Sequence, residues 1–153
     1  MTILHRLQHT AAPPAVFLVR LMVGGVFLSE GIQKFLFPAE IGAGRFAKIG
    51  LPSPELLAPV VGGFEIFCGA LVLAGLLTRL AVIPLLVIMM VAIWTTKLPI
   101  LTEQGFWKMA HEGRTDFSMV MGSSFLLWTG AGSLSLDAWM AKRRAKRKAA
   151  QTL

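Results

Sequence analysis

The chain has 153 residues, of which 55% are hydrophobic and only 15% charged, and its mean hydropathy is +0.67. A water-soluble domain carries about 25% charged residues, so this composition excludes an ordinary soluble globular protein and points to lipid as the solvent. The net charge of +7 is concentrated at one end, where Lys142-Arg143-Arg144-Ala145-Lys146-Arg147-Lys148 holds six positive charges and leaves the remainder nearly neutral.

Four apolar spans follow one another along the chain. A helix needs about 20 mostly apolar residues to cross a hydrocarbon core of ~30 Å. The first span runs roughly from Ala15 to Phe37 and starts after Pro13-Pro14, which suit a helix N-terminus. It is too long for the apolar core of a signal peptide and lacks a small-residue cleavage pattern, so it is expected to stay as an anchor. The second runs from about Leu56 to Leu77 and the third from about Leu80 to Thr96, with only Thr78-Arg79 between them. That break allows nothing but a tight hairpin. Pro84 falls near the start of the third span, where its cost is low, and Trp94 near its end suits an interfacial anchor. The fourth runs from about Phe117 to Leu136. The expected fold is all-α: an integral membrane bundle of four transmembrane helices, with a short inner hairpin and two longer outer loops at about 38–55 and 97–116. The domain division is an N-terminal segment 1–14, a bundle 15–138 and a basic tail 139–153.

Lys and Arg near the helix ends set the orientation. Four spans place both termini on one side, together with Arg6, Arg79 and the basic tail; Arg45, Lys48, Lys97, Lys108 and Arg114 fall on the other. The excess puts both termini in the cytoplasm. The tail is then expected to meet anionic lipid headgroups of the inner leaflet. No aromatic or fold signal for nucleic acid accompanies it.

Ionisable residues inside the spans are the functional candidates. An ionised side chain at the bilayer centre costs at least ~2.5 kcal/mol, so such residues face other helices or water. Arg20, Glu30 and Lys34 share a stripe roughly 80° wide on the first helix, with Arg20 in the inner leaflet, able to snorkel. Glu30 and Glu65 fall at similar depth in the outer half, and Arg114 and Asp116 enter the fourth span at the level of Lys34. These five residues, Glu30, Lys34, Glu65, Arg114 and Asp116, form an expected ligand or proton site. The plainer reading pairs Glu30 with Lys34 and Arg114 with Asp116 as structural ion pairs, which leaves Glu65 without an opposite charge on its own helix. Gly24, Gly31, Gly62, Gly63 and Gly69 are small residues that let the first two helices approach closely.

Other features carry less. His5 and His9 lack a third ligand and His111-Glu112 lacks the partners of a zinc motif, so no metal is assigned. Cys68 lies in an apolar run without a CxxC partner and reads as a packing residue.

Several stretches together resemble the DoxX family of small four-helix bacterial membrane proteins. These are Leu18-Val19-Arg20-Leu21 with Gly24 and Gly31-Ile32-Gln33-Lys34-Phe35; Phe46-Ala47-Lys48-Ile49-Gly50-Leu51-Pro52 leading to Gly63-Phe64-Glu65-Ile66 and Gly69; Gly75-Leu76-Leu77-Thr78-Arg79-Leu80-Ala81; and Gly130-Ala131-Gly132-Ser133-Leu134-Ser135-Leu136-Asp137. The resemblance spans about residues 15–138. It implies an inner-membrane protein linked to quinol oxidation, thiosulfate:quinone oxidoreduction or thiol-redox complexes. The leading expectation is therefore a redox-associated membrane subunit that binds a quinone-like ligand in its outer half. Glu65 and Glu30 would handle protons or contact the ligand, while Lys34 and Arg114 set the local charge. No cofactor motif is visible, so electrons would come from a membrane or redox protein partner. A non-enzymatic scaffold or assembly partner is the alternative. A small transporter ranks last, because four helices leave little room without homo-oligomerisation.

Overall fold

The computed structural model describes residues 12–151, and all regular secondary structure among them is helical. Eight helices occur in chain order: α1 (Val16–Leu36), α2 (Ala43–Lys48), α3 (Pro54–Ala74), α4 (Thr78–Ala92), α5 (Leu98–Gln104), α6 (Phe106–Glu112), α7 (Arg114–Thr129) and α8 (Leu136–Gln151). A π-helical turn, Ile93–Lys97, joins α4 to α5 without interruption. Arg6, His5 and His9 lie outside the described residues.

Three helical runs are long and apolar enough to cross a membrane: Val16–Leu36, Pro54–Ala74 and Thr78–Gln104. The first two have 21 residues each, about 31 Å at 1.5 Å per residue, which matches the hydrocarbon core. The fourth, α7, has 16 residues and ends at Thr129 rather than near Leu136. Gly130 and Gly132 adopt positive φ there and turn the chain out of the helix. The third span also departs from expectation, because it continues to Gln104 instead of stopping near Thr96. Pro99 follows the π-turn directly and does not stop the run, and the first residue to break it is Gly105 at φ 84°. Pro84 consequently lies inside α4 rather than in its first turn. The segments expected as outer loops are largely helical: 38–55 contains α2, and 97–116 contains the end of the third run and α6.

α1 packs on α3, α3 on α4, α4 on α7 and α7 on α1, closing a ring of four helices. The buried centre of that ring holds Val23, Phe27, Val72, Val82, Leu85 and Leu126. The α1–α3 seam is close because glycines face each other across it. A Cβ added at Gly31 would lie 2.7 Å from the carbonyl oxygen of Gly62, and one at Gly69 would lie 2.9 Å from the Leu28 nitrogen. Gly24 meets Gly69 and Leu73 in the same way. Gly63 departs from the expectation: a Cβ there would meet nothing within 4 Å, since one residue turns the helix about 100° away from the seam. The outward faces carry exposed Leu18, Leu21, Phe35, Phe64, Phe67 and Val87, an apolar surface of the kind that meets lipid.

A polar knot closes one end of the bundle. Arg20 is only 2% exposed and does not snorkel to water. Its guanidinium donates to the carbonyl oxygens of Val72 (2.8 Å) and Leu73 at the end of α3, and of Ala131 (3.1 Å) and Leu134 in the loop after α7. The α3 carbonyls are those that a helix end leaves without an intrahelical partner. The reversal between α3 and α4 occupies Gly75-Leu76-Leu77, and Thr78 and Arg79 already belong to α4. Gly75 lies at φ 68°, and a Cβ there would also press on the Arg20 guanidinium at 2.6 Å. Asp137, 1% exposed, accepts from the Leu77 N–H (2.9 Å) and donates its own N–H to the Gly75 carbonyl (3.1 Å). It also places a negative charge near Arg20. Three stretches far apart in sequence are therefore held by one cation.

Replacing Arg20 with Leu strands these carbonyls and removes a positive charge from near Asp137. The expected loss is about 3 kcal/mol or more, and Arg20→Lys should recover little, since one ammonium lacks the planar fork that reaches both loops. Thermal unfolding of detergent-solubilised protein measures this. A wild-type midpoint in the Leu variant would remove the knot from its structural role.

Candidate functional site

At the opposite end the helices enclose a cavity of about 610 Å³. α1, the α2 segment, α3, α4 with its π-turn, and α7 all contribute to its wall. Phe27, Phe46, Met89 and Met119, all buried, supply apolar surface. Glu30, Lys34, Arg45, Glu65, Lys97 and Asp116 supply charge.

Two ion pairs organise those charges. Lys34 Nζ lies 2.6 Å from Glu65 Oε2, and the two side chains are 9% and 5% exposed. Lys97 Nζ lies 3.3 Å from Asp116 Oδ2, with side chains 13% and 19% exposed. Both pairs join different helices, α1 to α3 and the π-turn to α7. Glu65 thus finds its opposite charge across the seam, where the sequence offers none on its own helix. Lys34 pairs with Glu65 and not with Glu30 one turn below it.

The geometry follows from the lean of helical side chains toward their own N-terminus. α1 and α3 are antiparallel, so Lys34 leans back along α1 while Glu65 leans the opposite way along α3. The two heads converge beside the Gly31–Gly62 contact. Glu30 leans away from Lys34, and no ion pair is formed by it among the described residues. It remains close enough to add its negative charge to the surroundings of Glu65.

The π-turn positions Lys97. Within and beside the turn, threonine hydroxyls bond back to the preceding turn: Thr95 donates to the Val91 carbonyl (2.9 Å) and Thr96 to the Ala92 carbonyl (2.6 Å). Lys97, read as an outer-loop residue from the sequence, therefore sits on a continuing helix and faces the cavity. Apolar residues that resume beyond Lys97 at Leu98, Ile100 and Leu101 are the signal that would have placed it there. Arg45 was likewise counted only as an outer charge. Buried Phe46 fixes α2 over α3 and carries Arg45 to the cavity wall.

Arg114 does not join this group. It is exposed and donates to the His111 carbonyl (2.7 Å), while Asp116, two residues on, turns to Lys97. Glu112 at the cavity rim is paired with Lys108 at 3.1 Å on the surface. The Lys108 ammonium holds the Glu112 carboxyl below its ordinary range. Cys68 is buried as a free thiol in the packed centre.

An all-helical apolar chain with a charged cavity at one end defines a small polytopic membrane protein. The family model described as DoxX matches residues 15–98, and the chain belongs to the DoxX family. It is 53% identical over 144 residues to "Uncharacterized membrane protein Rv3486" of Mycobacterium tuberculosis, covering 90% of this chain and 88% of that one. It is 32% identical over 127 residues to "Putative oxidoreductase CatD" of Bacillus subtilis, covering 82% of this chain and 86% of the relative. No solved structure matches it.

The two ion pairs should respond differently to loss of one partner. Lys34→Met strands a carboxylate in the seam and is expected to cost about 3–5 kcal/mol, whereas Lys34→Met with Glu65→Leu should recover most of that, because a buried pair nearly balances its own desolvation. Lys97→Met, at a wetter pair, should cost about 1 kcal/mol or less. Unfolding midpoints of the three variants decide the matter. Equal losses at both pairs would contradict the burial ranking.

Proposed function

We propose that the outer-half cavity binds a quinone-like small molecule, and that the protein serves as a redox-associated subunit of the bacterial inner membrane. The observation that carries this reading is the cavity itself. It has the size of small-molecule sites, apolar walls, and a few convergent polar groups. An aromatic headgroup fits between the Phe27, Phe46, Met89 and Met119 side chains, and its ring oxygens find both donors (Lys34, Lys97) and carboxylates (Glu65, Glu30). When bound, such a ligand would supply two-electron chemistry coupled to protons. This chain's own part is to hold the ring and present groups that carry a proton beside its oxygens. The relative named as an oxidoreductase supports the same direction.

The proposal includes four spans, with α7 as the short fourth, and both termini in the cytoplasm. Exposed Trp94 and Trp107 lie toward the cavity end, and exposed Trp128 and Trp139 toward the other, as two interfacial belts would. α8 would then lie at the inner surface, where exposed Leu136 and Trp139 meet the interface and the arginines and lysines meet anionic headgroups. Arg143 stacks on the Trp139 ring at 3.8 Å, joining the aromatic anchor to the basic segment.

The scaffold reading draws on one observation. Lys34 and Glu65 already satisfy each other, so the cavity charges can act as internal fastenings alone. Binding of a short-chain quinone to nanodisc-embedded protein distinguishes the two. Wild type is expected to bind, and Glu65→Gln to bind about tenfold or more weakly while remaining folded. Wild type that binds no quinone leaves the scaffold as the better account. Topology is tested by a reporter fused after Leu153, expected to be active only in the cytoplasm; periplasmic activity would reverse the orientation.

A further inference from the structure

Among the described residues no other helix packs along α8. It is joined to the bundle at its start. Ser135 Oγ accepts the Ala138 N–H (3.1 Å), an N-cap bond, and donates to the Gly132 carbonyl (2.6 Å). Asp137 adds the bonds that tie it to Leu77 and Gly75. The helix is therefore nucleated on the polar knot. Beyond Ala141 its turns carry Lys142, Arg143, Arg144, Lys146, Arg147 and Lys148, and no Asp or Glu follows Asp137 in the chain. Positions 142 and 146, 143 and 147, and 144 and 148 stand four apart, so like charges meet on one side of the helix and weaken it. An isolated helix as short as the part beyond the first turn, residues 140–151, is marginal in water even without such repulsion.

Residue positions around the axis show which surroundings suit those turns. At ~100° per residue, the six basic positions cover roughly 240° of the circumference. Leu136, Trp139 and Met140 lie within the same arc, and Ala138, Ala141 and Ala145 fall in the remainder. Arg143, stacked on Trp139 at 3.8 Å, puts a cation and a ring side by side. Water would favour bulky apolar groups and charges on opposite faces. A face that carries both suits the boundary of an anionic leaflet, where rings sit at headgroup level and cations reach the phosphates. A soluble polyanion would satisfy the charges and leave exposed Leu136 and Trp139 in water.

We propose that α8 beyond its first turn folds only against anionic lipid, so that the helix described here is its lipid-bound form. Headgroup phosphates take the place of the acids that the sequence omits and lift the repulsion between the basic residues. On a neutral surface the chain after the capped first turn unwinds; on a charged one it winds up from the knot outward. This rests on the placement of α8 at the inner surface, and adds to it a folding step through which the protein responds to the charge of the leaflet.

The test places the full-length protein in nanodiscs of phosphatidylcholine alone and of an equal mixture with phosphatidylglycerol. Hydrogen exchange of the amides of residues 142–151, followed by mass spectrometry, reads the helix. A nitroxide on Ala150→Cys, relaxed by a nickel-chelating lipid, reads contact with the surface, while Cys68 stays buried and unlabelled. Wild type is expected to exchange about tenfold or more slowly in the anionic discs, and to lose that difference at high salt. Lys142→Glu with Arg144→Glu sets an acid four residues before positions 146 and 148 and so supplies the missing partners within the chain. That variant should be protected in phosphatidylcholine already, and differ by less than about twofold between the two lipids. Surface contact without added protection, or equal protection of wild type in both lipids, overturns the coupling and leaves the placement of α8 standing. Absence of contact with the anionic discs overturns the placement and the coupling with it. Protection that appears only when RNA is added to the neutral discs assigns the basic face to nucleic acid and overturns the lipid as its partner.

Discussion

One buried guanidinium sets the frame for the rest of the molecule. Arg20 reaches from α1 to the end of α3 and to the loop after α7, and the nearby Asp137 ties that loop to the α3–α4 reversal. In a medium with no water to satisfy stray carbonyls, helix ends are the weak points of a bundle. Here one cation occupies several of them together. The glycine seam then keeps α1 and α3 in close contact along their length. With one end fastened and one seam closed, space is left at the other end, where α4 and α7 complete the ring. The cavity occupies that space.

The two ends also treat charge differently. At the knot, the cation is spent on main-chain oxygens and is shut away from any ligand. At the cavity, the cations Lys34 and Lys97 face carboxylates on neighbouring helices and border open volume. Cations thus bind main-chain oxygens at one end and bridge neighbouring helices beside open volume at the other.

Much of this was legible in the sequence. Charge deficit and apolar runs gave the helical membrane class, and helical periodicity put Arg20, Glu30 and Lys34 on one inward stripe. Depth arguments brought Glu30, Lys34, Glu65 and Asp116 to one cavity wall. The pairings were not legible. Spacing alone makes Glu30 the natural partner of Lys34, but which head meets which depends on the opposite lean of side chains on antiparallel helices. The direction of Arg114 depends on a single local carbonyl, and Gly63 differs from Gly62 only by its turn around the helix. Helix ends were missed where hydropathy continues past a backbone break, as at Gly130, or where polar residues continue a helix, as through Thr95, Thr96 and Lys97. Hydropathy reports what surrounds a residue. It does not report where the backbone turns.

The acceptors of the Arg20 guanidinium are carbonyls of the main chain. Val72, Leu73, Ala131 and Leu134 contribute to the knot whatever side chains they carry, provided the backbone keeps its path. The information needed to specify the fastening is therefore concentrated in Arg20, in the glycine that leaves room for it at position 75, and in Asp137, whose carboxylate holds the Leu77 N–H. At the positions that lend only a carbonyl, packing rather than the knot limits the choice of side chain. A fold held in this way can be shared by chains that have little else in common, and an alignment would show the joint as an isolated arginine with no obvious partner.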